Sequence, residues 1–253
     1  MSRASSWLTV IALLAVAQPD VLAQSFKARQ MVYPRVRAAS ETKDARLRRL
    51  FRNKNLDYPA NRLFIRAFKR ERIVEVWVAS SDHDRFELLK DYAFCASSGV
   101  LGPKRREGDG QIPEGFYYID RFNPTSRFHL SLGINYPNQA DRILGARNRL
   151  GGDIFIHGNC VTIGCIPITD DGIEELYLLA VEARSSGQLR IPVHVFPTRL
   201  DNRNWDGLKR EYSGNAGLIS FWADLKKAYD FFAERRRAPT VSVSSDGRYV
   251  TGK

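Results

Sequence analysis

The stretch Asp153-Ile-Phe-Ile-His-Gly-Asn-Cys-Val-Thr-Ile-Gly-Cys-Ile-Pro-Ile168 joins a short apolar strand to a histidine and then to a glycine–cysteine pair. Cys165 stands eight positions after His157, across a tight loop. A nucleophilic cysteine reacts as the thiolate and needs a base close to its sulfur. A neighbouring glycine lets backbone N–H groups approach a developing oxyanion. The pattern predicts Cys165 as nucleophile and His157 as its general base, with Gly164 completing the catalytic group.

Three other roles for these residues stay open at the level of sequence. Cys165 and His157 could be a buried cysteine and a core histidine. Together with Cys160 they could bind zinc, although zinc sites usually pair cysteines as C-x₂-C and no second paired cluster follows. A Cys160–Cys165 disulfide would silence the site, and whether Cys160 or Cys95 is bonded is not decided by the sequence. We expect no metal and no cofactor.

His157-Gly158 followed by Thr162-Ile-Gly-Cys165 resembles the active-site signature of the L,D-transpeptidase (YkuD-like) catalytic domain superfamily. Within it, the sequence is most similar to the divergent branch of murein-lipoprotein amidases, the DpaA/YafK branch. Most of the superfamily has a second histidine two residues before the cysteine, where this chain has Ile163. The resemblance therefore assigns one catalytic histidine, His157, and not two.

Apolar patterning predicts antiparallel strands in the first half of the chain and helices in the second. Residues 63–68 and 72–79 form an expected hairpin, with Val74, Val76 and Val78 on one side. The sequence thus predicts a mainly β protein with flanking helices, of the α+β class. Further expected elements are a basic helix in 41–51, strands in 85–97, 116–119, 127–132 and 191–196, helices in 169–187 and 218–232, an irregular segment in 198–216, one edge strand in 240–250, and a structural role for His194.

The resemblance extends from Tyr58 to the C-terminus and implies an L,D-transpeptidase-like β-sandwich or partly closed barrel. Together with the residue pattern of the N-terminus, it divides the chain into four parts. These are a signal peptide (1–23), a basic N-terminal segment (24–58), an L,D-transpeptidase-like catalytic domain (59–198) and a C-terminal helical extension packed on that domain (199–253).

Residues 99–115 form a loop rich in glycine and charge, and long loops in compact domains often carry function. The resemblance implies a diaminopimelate substrate whose far end carries a carboxylate, so cations near the cleft are expected. Glu107 and Asp109 are expected to order the loop by ion pairing. A structural role explains His129 as well as a role in substrate binding does. Each of the cations could equally be a solvated surface charge. The candidate substrate-binding residues are Lys104, Arg105, His129, Tyr136, Asn138, Arg142 and Thr162.

The N-terminus has the form of a secretory signal, with Arg3, an apolar run over 7–17 and a cleavage site after Ala23. The run is too short to span a bilayer comfortably, so we expect cleavage, a periplasmic location and no integral membrane segment. The chain carries a formal net charge of +11. Outside the cytoplasm, that charge favours an anionic polymer such as peptidoglycan, or a membrane surface, over nucleic acid, and a solvated basic surface without a specific partner explains it equally.

The resemblance implies chemistry through a thioester on Cys165 without any cofactor. Three functions follow as hypotheses. The first is a cysteine amidase that hydrolyses the amide between diaminopimelate of a peptidoglycan stem peptide and a covalently attached lipoprotein. The second is an L,D-transpeptidase that forms cross-links or attaches proteins to peptidoglycan. The third is a non-catalytic cell-wall binding module.

Overall fold

A computed structural model describes residues 25–81 and 84–252, so the predicted signal segment 1–23 lies outside the described residues. The strands are β1 (Arg62–Phe68), β2 (Ile73–Ala79), β3 (Glu87–Ala93), β4 (Gly115–Asn123), β5 (Ser131–Ile134), β6 (Phe155–His157), β7 (Ile166–Pro167), β8 (Ile191–Phe196), β9 (Val241–Val243) and β10 (Tyr249–Thr251). The helices are α1 (Phe26–Met31), α2 (Pro34–Asn53), α3 (Gln139–Leu144), α4 (Thr169–Ser185), α5 (Asn202–Glu211) and α6 (Ala216–Arg235). Within these described ranges, no helix is both long and apolar enough to cross a bilayer.

Eight strands form one mixed sheet in the order β3-β2-β1-β8-β4-β5-β6-β7. The pairs β1–β8 and β6–β7 are parallel, and the other pairs are antiparallel. The sheet curves as a half-barrel with flanking helices, so the α+β prediction is confirmed and the partly closed form is the one adopted. β9 and β10 form a separate two-stranded ribbon.

The predicted hairpin of β1 and β2 is confirmed, with Ile65 paired to Val76. Side chains of a strand alternate between faces, and here both faces are covered. Leu63, Ile65 and Val76 pack in the core that α2 and α4 share, whereas Phe68 packs on the α6 side with Trp222. Burial on both faces explains why these strands are almost continuously apolar.

The basic helix expected in 41–51 is real but longer, because α2 runs from Pro34 to Asn53. Its buried positions are Val36, Ala39, Leu47 and Phe51, separated by three, eight and four residues. The first half of α2 contributes only Val36 and Ala39 to this face, so it shows little apolar periodicity in the sequence. The helix packs on α4, where Arg46 Nε lies 3.0 Å from the Glu175 carboxylate.

In the C-terminal region the predicted second long helix is confirmed, whereas the predictions for the segments before and after it need correction. Trp222, Leu225 and Phe232 of α6 are buried, as its aromatic stripe predicts. The segment 198–216 is not irregular, since it contains α5, which Asp201 caps by accepting from the Asn204 N–H at 3.0 Å. The expected edge strand in 240–250 is two short strands, β9 and β10.

One further strand prediction needs correction, and another is confirmed. The strand expected in 127–132 begins later, because β5 starts at Ser131 and His129 has the left-handed φ of 68°. Residues 191–196 form β8, which lies in the middle of the sheet between β1 and β4. His194 of β8 is buried between Phe64 and Phe116, and burial lowers its pKa to about 3, which agrees with a structural role.

Candidate active site

The pairing of β6 and β7 brings His157 and Cys165 to one face of the sheet. Ile156 pairs with Ile166, and both are fully buried on the core side. Cys165 directly precedes Ile166 and therefore lies on the opposite side, as does His157 after Ile156. His157 pairs with Pro167, two residues after Cys165, so the two residues are diagonal neighbours across adjacent parallel strands. The predicted nucleophile and base thus come from adjoining strands.

The loop between these strands is fixed by Thr162. Its hydroxyl donates to the Cys165 carbonyl oxygen at 2.7 Å and accepts from the Gly164 N–H at 3.0 Å. Gly164 has a φ of +141°, and a Cβ there would lie 3.0 Å from the Gln111 carbonyl oxygen. Thr162 therefore shapes the 158–164 loop that leads to Cys165, the candidate nucleophile. Because the Gly164 N–H is engaged, the backbone N–H groups of Ile163 and Cys165 are the better candidates for oxyanion donors.

Cys165 is the free cysteine, and Cys95 and Cys160 are joined by a disulfide. The alternative Cys160–Cys165 disulfide is therefore wrong. A disulfide-bonded Cys160 cannot supply a thiolate to zinc, so one of the three ligands that the zinc hypothesis requires is missing. The disulfide ties the 158–164 loop to the segment that follows β3.

Burial favours the uncharged forms of the Cys165 thiol and the His157 imidazole. Burial raises the pKa of Cys165, opposed by a hydrogen bond from the Phe155 backbone and assisted by the charge of Asp153. Burial also lowers the pKa of His157, opposed by the Gly158 carbonyl. Both shifts favour the neutral form, as expected for groups removed from water.

The hydrogen bonds of the two groups fix their orientation. In the described part of the chain, the thiol donates to the Asp153 carbonyl oxygen (Sγ–O 3.6 Å) and not to His157. His157 Nδ1 donates to the Gly158 carbonyl oxygen. That tautomer leaves the Nε2 lone pair available to accept a proton. The Phe128 ring lies against the His157 ring with centroids 4.7 Å apart.

Cys165 opens onto a cleft of about 430 Å³. Ile163, which stands where the common signature has histidine, is 88% exposed on its rim. The remaining lining comes from Lys104, Glu107, Gly108 and Gly110 of the 99–115 loop, from 151–154 and from Gly164. The long loop predicted to be functional is therefore one wall of this cleft.

Buried polar groups hold that wall in place. Glu114 is fully buried and lies 3.0 Å from Lys69 Nζ. Its carboxylate also accepts from the Gly102 N–H and from Trp222 Nε1, each at 2.7 Å. An isolated buried charge is costly, whereas this one has a cation and two donors. The loop is thereby anchored to α6 before any substrate binds.

Lys104 is the predicted cation that reaches the cleft. It is buried, and its Nζ donates to Asp109 Oδ1 at 2.6 Å and to the Arg106 carbonyl at 2.9 Å. Burial works to raise the pKa of Asp109, but the bonds from Lys104 and three backbone amides outweigh it and hold the pKa low. The ion pairing expected of Asp109 is confirmed.

The other predicted substrate-binding residues lie outside the Cys165 cleft. Tyr136 donates to the Leu150 carbonyl at 3.1 Å. Asn138 caps α3 and is held to Asp141 in a capping box. Arg105 reaches Asp141 at 3.6 Å, and Arg142 is exposed on α3. His129 Nε2 lies 2.7 Å from Glu174, beside a second depression.

Asp153 and Phe128 contact the candidate site but were not predicted from the sequence. Asp153 offers its carbonyl to the thiol and its carboxylate to Arg121 Nη1 at 2.6 Å. Asp153 precedes the apolar strand and has a left-handed φ of +56°. Asp adopts this conformation more readily than most residues, so an Asp directly before a strand is a sequence signal for a turn at that point. The contact of Phe128 with His157 joins the turn between β4 and β5 to strand β6 and has no local sequence signal.

Comparisons with known proteins cover the same region. The sequence profile of the L,D-transpeptidase catalytic domain, YkuD, matches residues 64–195. YafK of Escherichia coli strain K12, whose name as an L,D-transpeptidase is provisional, is 38% identical over 193 residues, which cover 76% of this chain and 74% of YafK. YafK of strain O157:H7 gives the same values.

Two solved structures resemble the fold at a lower level. The helical cell shape determining protein Pgp2 of Campylobacter jejuni matches with a TM-score of 0.41 and 18% identity over 80% of each chain. Bd1075 of Bdellovibrio bacteriovorus matches with a TM-score of 0.39 and 20% identity over 61% of this chain and 55% of its own. The profile match contains both His157 and Cys165.

Proposed function

Because the chain belongs to the L,D-transpeptidase catalytic domain family, YkuD, we propose that it is a periplasmic cysteine amidase acting on peptidoglycan stem peptides. The observation that carries the proposal is the free Cys165 at the cleft, on the same sheet face as His157. The other two cysteines are bonded to each other, so Cys165 alone has a thiol for catalysis.

The first half of the reaction forms a thioester. His157 Nε2 accepts the Cys165 proton as Sγ attacks the amide carbonyl carbon, which follows from the neutral resting pair. The carbonyl oxygen takes up negative charge, and the N–H groups of Ile163 and Cys165 stabilise it. The carbon–nitrogen bond then breaks, and imidazolium returns the proton to the leaving amine.

The second half consumes water. His157 accepts a proton from a water molecule as the water oxygen attacks the thioester carbonyl carbon. The carbon–sulfur bond breaks, and the thiolate regains a proton from the imidazolium. The products are a carboxylic acid and free Cys165. No metal or cofactor enters the balance of this reaction.

The substrate we propose has its scissile amide on the carboxyl group at the L-centre of diaminopimelate, with the side-chain amine of a protein lysine as leaving group. The family match supports the cell-wall substrate, and Lys104, which is paired with Asp109, lines the cleft that would receive it. The net charge of +11 also suits a polyanionic wall.

Peptidoglycan carrying a covalently attached lipoprotein tests the proposal. It is incubated with the protein in ¹⁸O-water and the products are measured by mass spectrometry, with Cys165→Ala as control. We expect free stem peptides with the label in the new diaminopimelate carboxylate. Cross-linked or amine-exchanged stem peptides without label would establish the transpeptidase instead. Binding without any product would establish the non-catalytic cell-wall module.

A further inference from the structure

A groove of about 480 Å³ lies between the β9–β10 ribbon and the outer face of the main sheet, which is the face turned away from the α2–α4 core. We call it the Tyr118 groove. Its floor is made by alternate residues of β4 and β8, and β9 forms one wall. None of the residues that line it, all within the described ranges, is acidic. Its lining includes Phe116, Tyr118, Asn135, Gln139, Arg190 and His194.

The Tyr118 groove and the candidate nucleophile lie on the same face of the sheet. Ile119 of β4 pairs with Ile134 of β5, and both are buried in the core. Tyr118 precedes Ile119 and therefore points to the opposite face, because the side chains of a strand alternate. Cys165 lies on that outer face for the same reason, since it precedes the buried Ile166. One ligand that lies along this face can therefore contact both places.

Three strand spacings separate the groove from the nucleophile. Tyr118 is opposite Asn135, whose N–H donates to the Tyr118 carbonyl at 3.1 Å. The register of β5 with β6 and of β6 with β7 continues this row to two residues before Cys165. At about 4.8 Å per strand, and with that offset along the strands, the backbones of Tyr118 and Cys165 lie roughly 16 Å apart across the sheet. The surface between them is open, since Asn135 and Phe155 are half-buried and the Asp153 side chain is 82% exposed.

The polar side chains around the Tyr118 ring are planar. Asn135 Oδ1 accepts from the Tyr118 N–H at 2.7 Å, which leaves its Nδ2 group without a partner among the described residues. Arg190 stacks on the Tyr118 ring at 4.9 Å and has no carboxylate partner in that part of the chain. Gln139 is exposed at the start of α3. An aromatic ring bordered by amide and guanidinium groups suits a sugar, because the C–H bonds of a pyranose form an apolar face that packs on the ring, while its hydroxyl groups donate and accept.

His194 adds a buried donor and a buried acceptor to the groove. It is 4% exposed between Phe64 and Phe116, and neither ring nitrogen has a hydrogen-bond partner within 25–81 and 84–252. Burial lowers its pKa to about 3, so the ring is neutral and carries one N–H donor and one acceptor nitrogen. A buried polar group without a partner costs free energy, which a ligand that bonds to it recovers. An acetamido group supplies the matching acceptor oxygen and N–H donor.

We infer that the Tyr118 groove is a sugar subsite, which takes the N-acetylated sugar that carries the stem peptide while Cys165 attacks that peptide. The scissile carbonyl belongs to the third residue of the stem, which a lactyl group joins to the sugar. Three extended residues and this group span roughly 11–15 Å, which matches the separation of groove and nucleophile. The apolar face of the sugar rests on Tyr118, and its acetamido group reaches His194. This inference rests on the proposed amidase function.

Two matched conjugates test the subsite. In one, the stem peptide that carries the protein lysine remains on its N-acetylated disaccharide, and in the other the stem begins with the lactyl group alone. The disaccharide should raise kcat/KM of the wild-type protein by about 10-fold, the scale of one aromatic contact. Tyr118→Ala should abolish that gain and leave the sugar-free conjugate unchanged, whereas a loss of fold would lower kcat/KM for both. Equal kcat/KM of the wild type for the two conjugates overturns the subsite, while the amidase proposal stands.

A second variant removes little packing. Gln139 is exposed, so Gln139→Ala should leave the fold intact and lower the gain from the disaccharide by about 3-fold, the scale of one hydrogen bond. Asn53→Ala, at an exposed amide on the last residue of α2, is the matched control and should leave the gain unchanged. A gain that neither Tyr118→Ala nor Gln139→Ala reduces would place the sugar elsewhere and overturn the subsite.

A binding measurement separates this inference from the amidase proposal. The disaccharide without its peptide is titrated into Cys165→Ala protein with and without Tyr118→Ala and followed by NMR, which detects weak binding. Binding that Tyr118→Ala removes supports the subsite even if the wild-type protein hydrolyses neither conjugate. Absence of binding, or binding that Tyr118→Ala leaves unchanged, overturns it. If the sugar-free stem peptide binds there instead, the groove is a peptide site beside β9 and the inference fails.

Discussion

Removing the Cys95–Cys160 disulfide tests how the nucleophile loop is held. The bond joins residues 65 positions apart, and replacing both cysteines by serine frees that segment in the unfolded chain. The chain-entropy relation for a closed loop of this length gives a loss of roughly 4 kcal/mol in the free energy of unfolding. For a protein of this size, the melting temperature should then fall by roughly 10 °C.

The assay is thermal unfolding followed by circular dichroism, with and without a phosphine reductant. The reductant should lower the melting temperature of the wild-type protein to that of the double variant and leave the variant unchanged. Thiol titration of denatured protein should find one thiol before reduction, on Cys165, and three after it. Three thiols before reduction, or a bonded Cys165 with Cys95 free, would refute the pairing. Equal melting temperatures would refute the stability argument.

Three further predictions concern single residues. Cys165→Ser should lower turnover by at least about 10³-fold with an unchanged melting temperature, because a hydroxyl is a poorer nucleophile; retained turnover would exclude Cys165. His157→Ala should lower turnover by about 10²–10⁴-fold. Because burial raises the pKa of Cys165, its alkylation by iodoacetamide should still increase above pH 9, and a plateau near neutral pH would instead indicate a preformed thiolate. Burial raises the pKa of Asp141 to about 6 from 3.8, so its contribution to stability is present below pH 3.8 and lost as pH rises through 6. As pH rises from 4 to 7, the free energy of unfolding of Asp141→Asn, measured with urea, should increase relative to that of the wild type by up to roughly 3 kcal/mol. A difference between the two proteins that does not change with pH would contradict the raised pKa of Asp141.

Local patterns in the sequence identify the elements that pack through a repeating apolar face. Val74, Val76 and Val78 predict β2 because their two-residue period matches a strand. The spacing of Trp222, Leu225 and Phe232 predicts α6 in the same way. The position of Cys165 shortly after a histidine-bearing strand is also visible in the local sequence. The loop that carries the candidate nucleophile could therefore be predicted from the sequence alone.

Contacts between segments that are distant in the sequence could not be predicted from local patterns. Nothing near Cys160 identifies Cys95 as its partner, and the sequence left that pairing open. Lys104 was predicted as one cation among several, and only the folded 99–115 loop shows that it reaches the Cys165 cleft. Asn138 is different, because its spacing to Asp141 is a capping pattern that a stricter search of the sequence would recognise.

The central position of β8 determines when the sheet that carries the candidate site can be completed. β8 fills the space between β1 and β4, and Val193 pairs with Ile65, which was synthesised 128 residues earlier. Until 191–196 arrive, the chain has two separate meanders with open edges, of which only the second carries Cys165 and His157. A sheet of such high contact order closes slowly and late. A chain cut by a protease before residue 191 would keep every residue of the candidate site and still have no central strand to join its two halves.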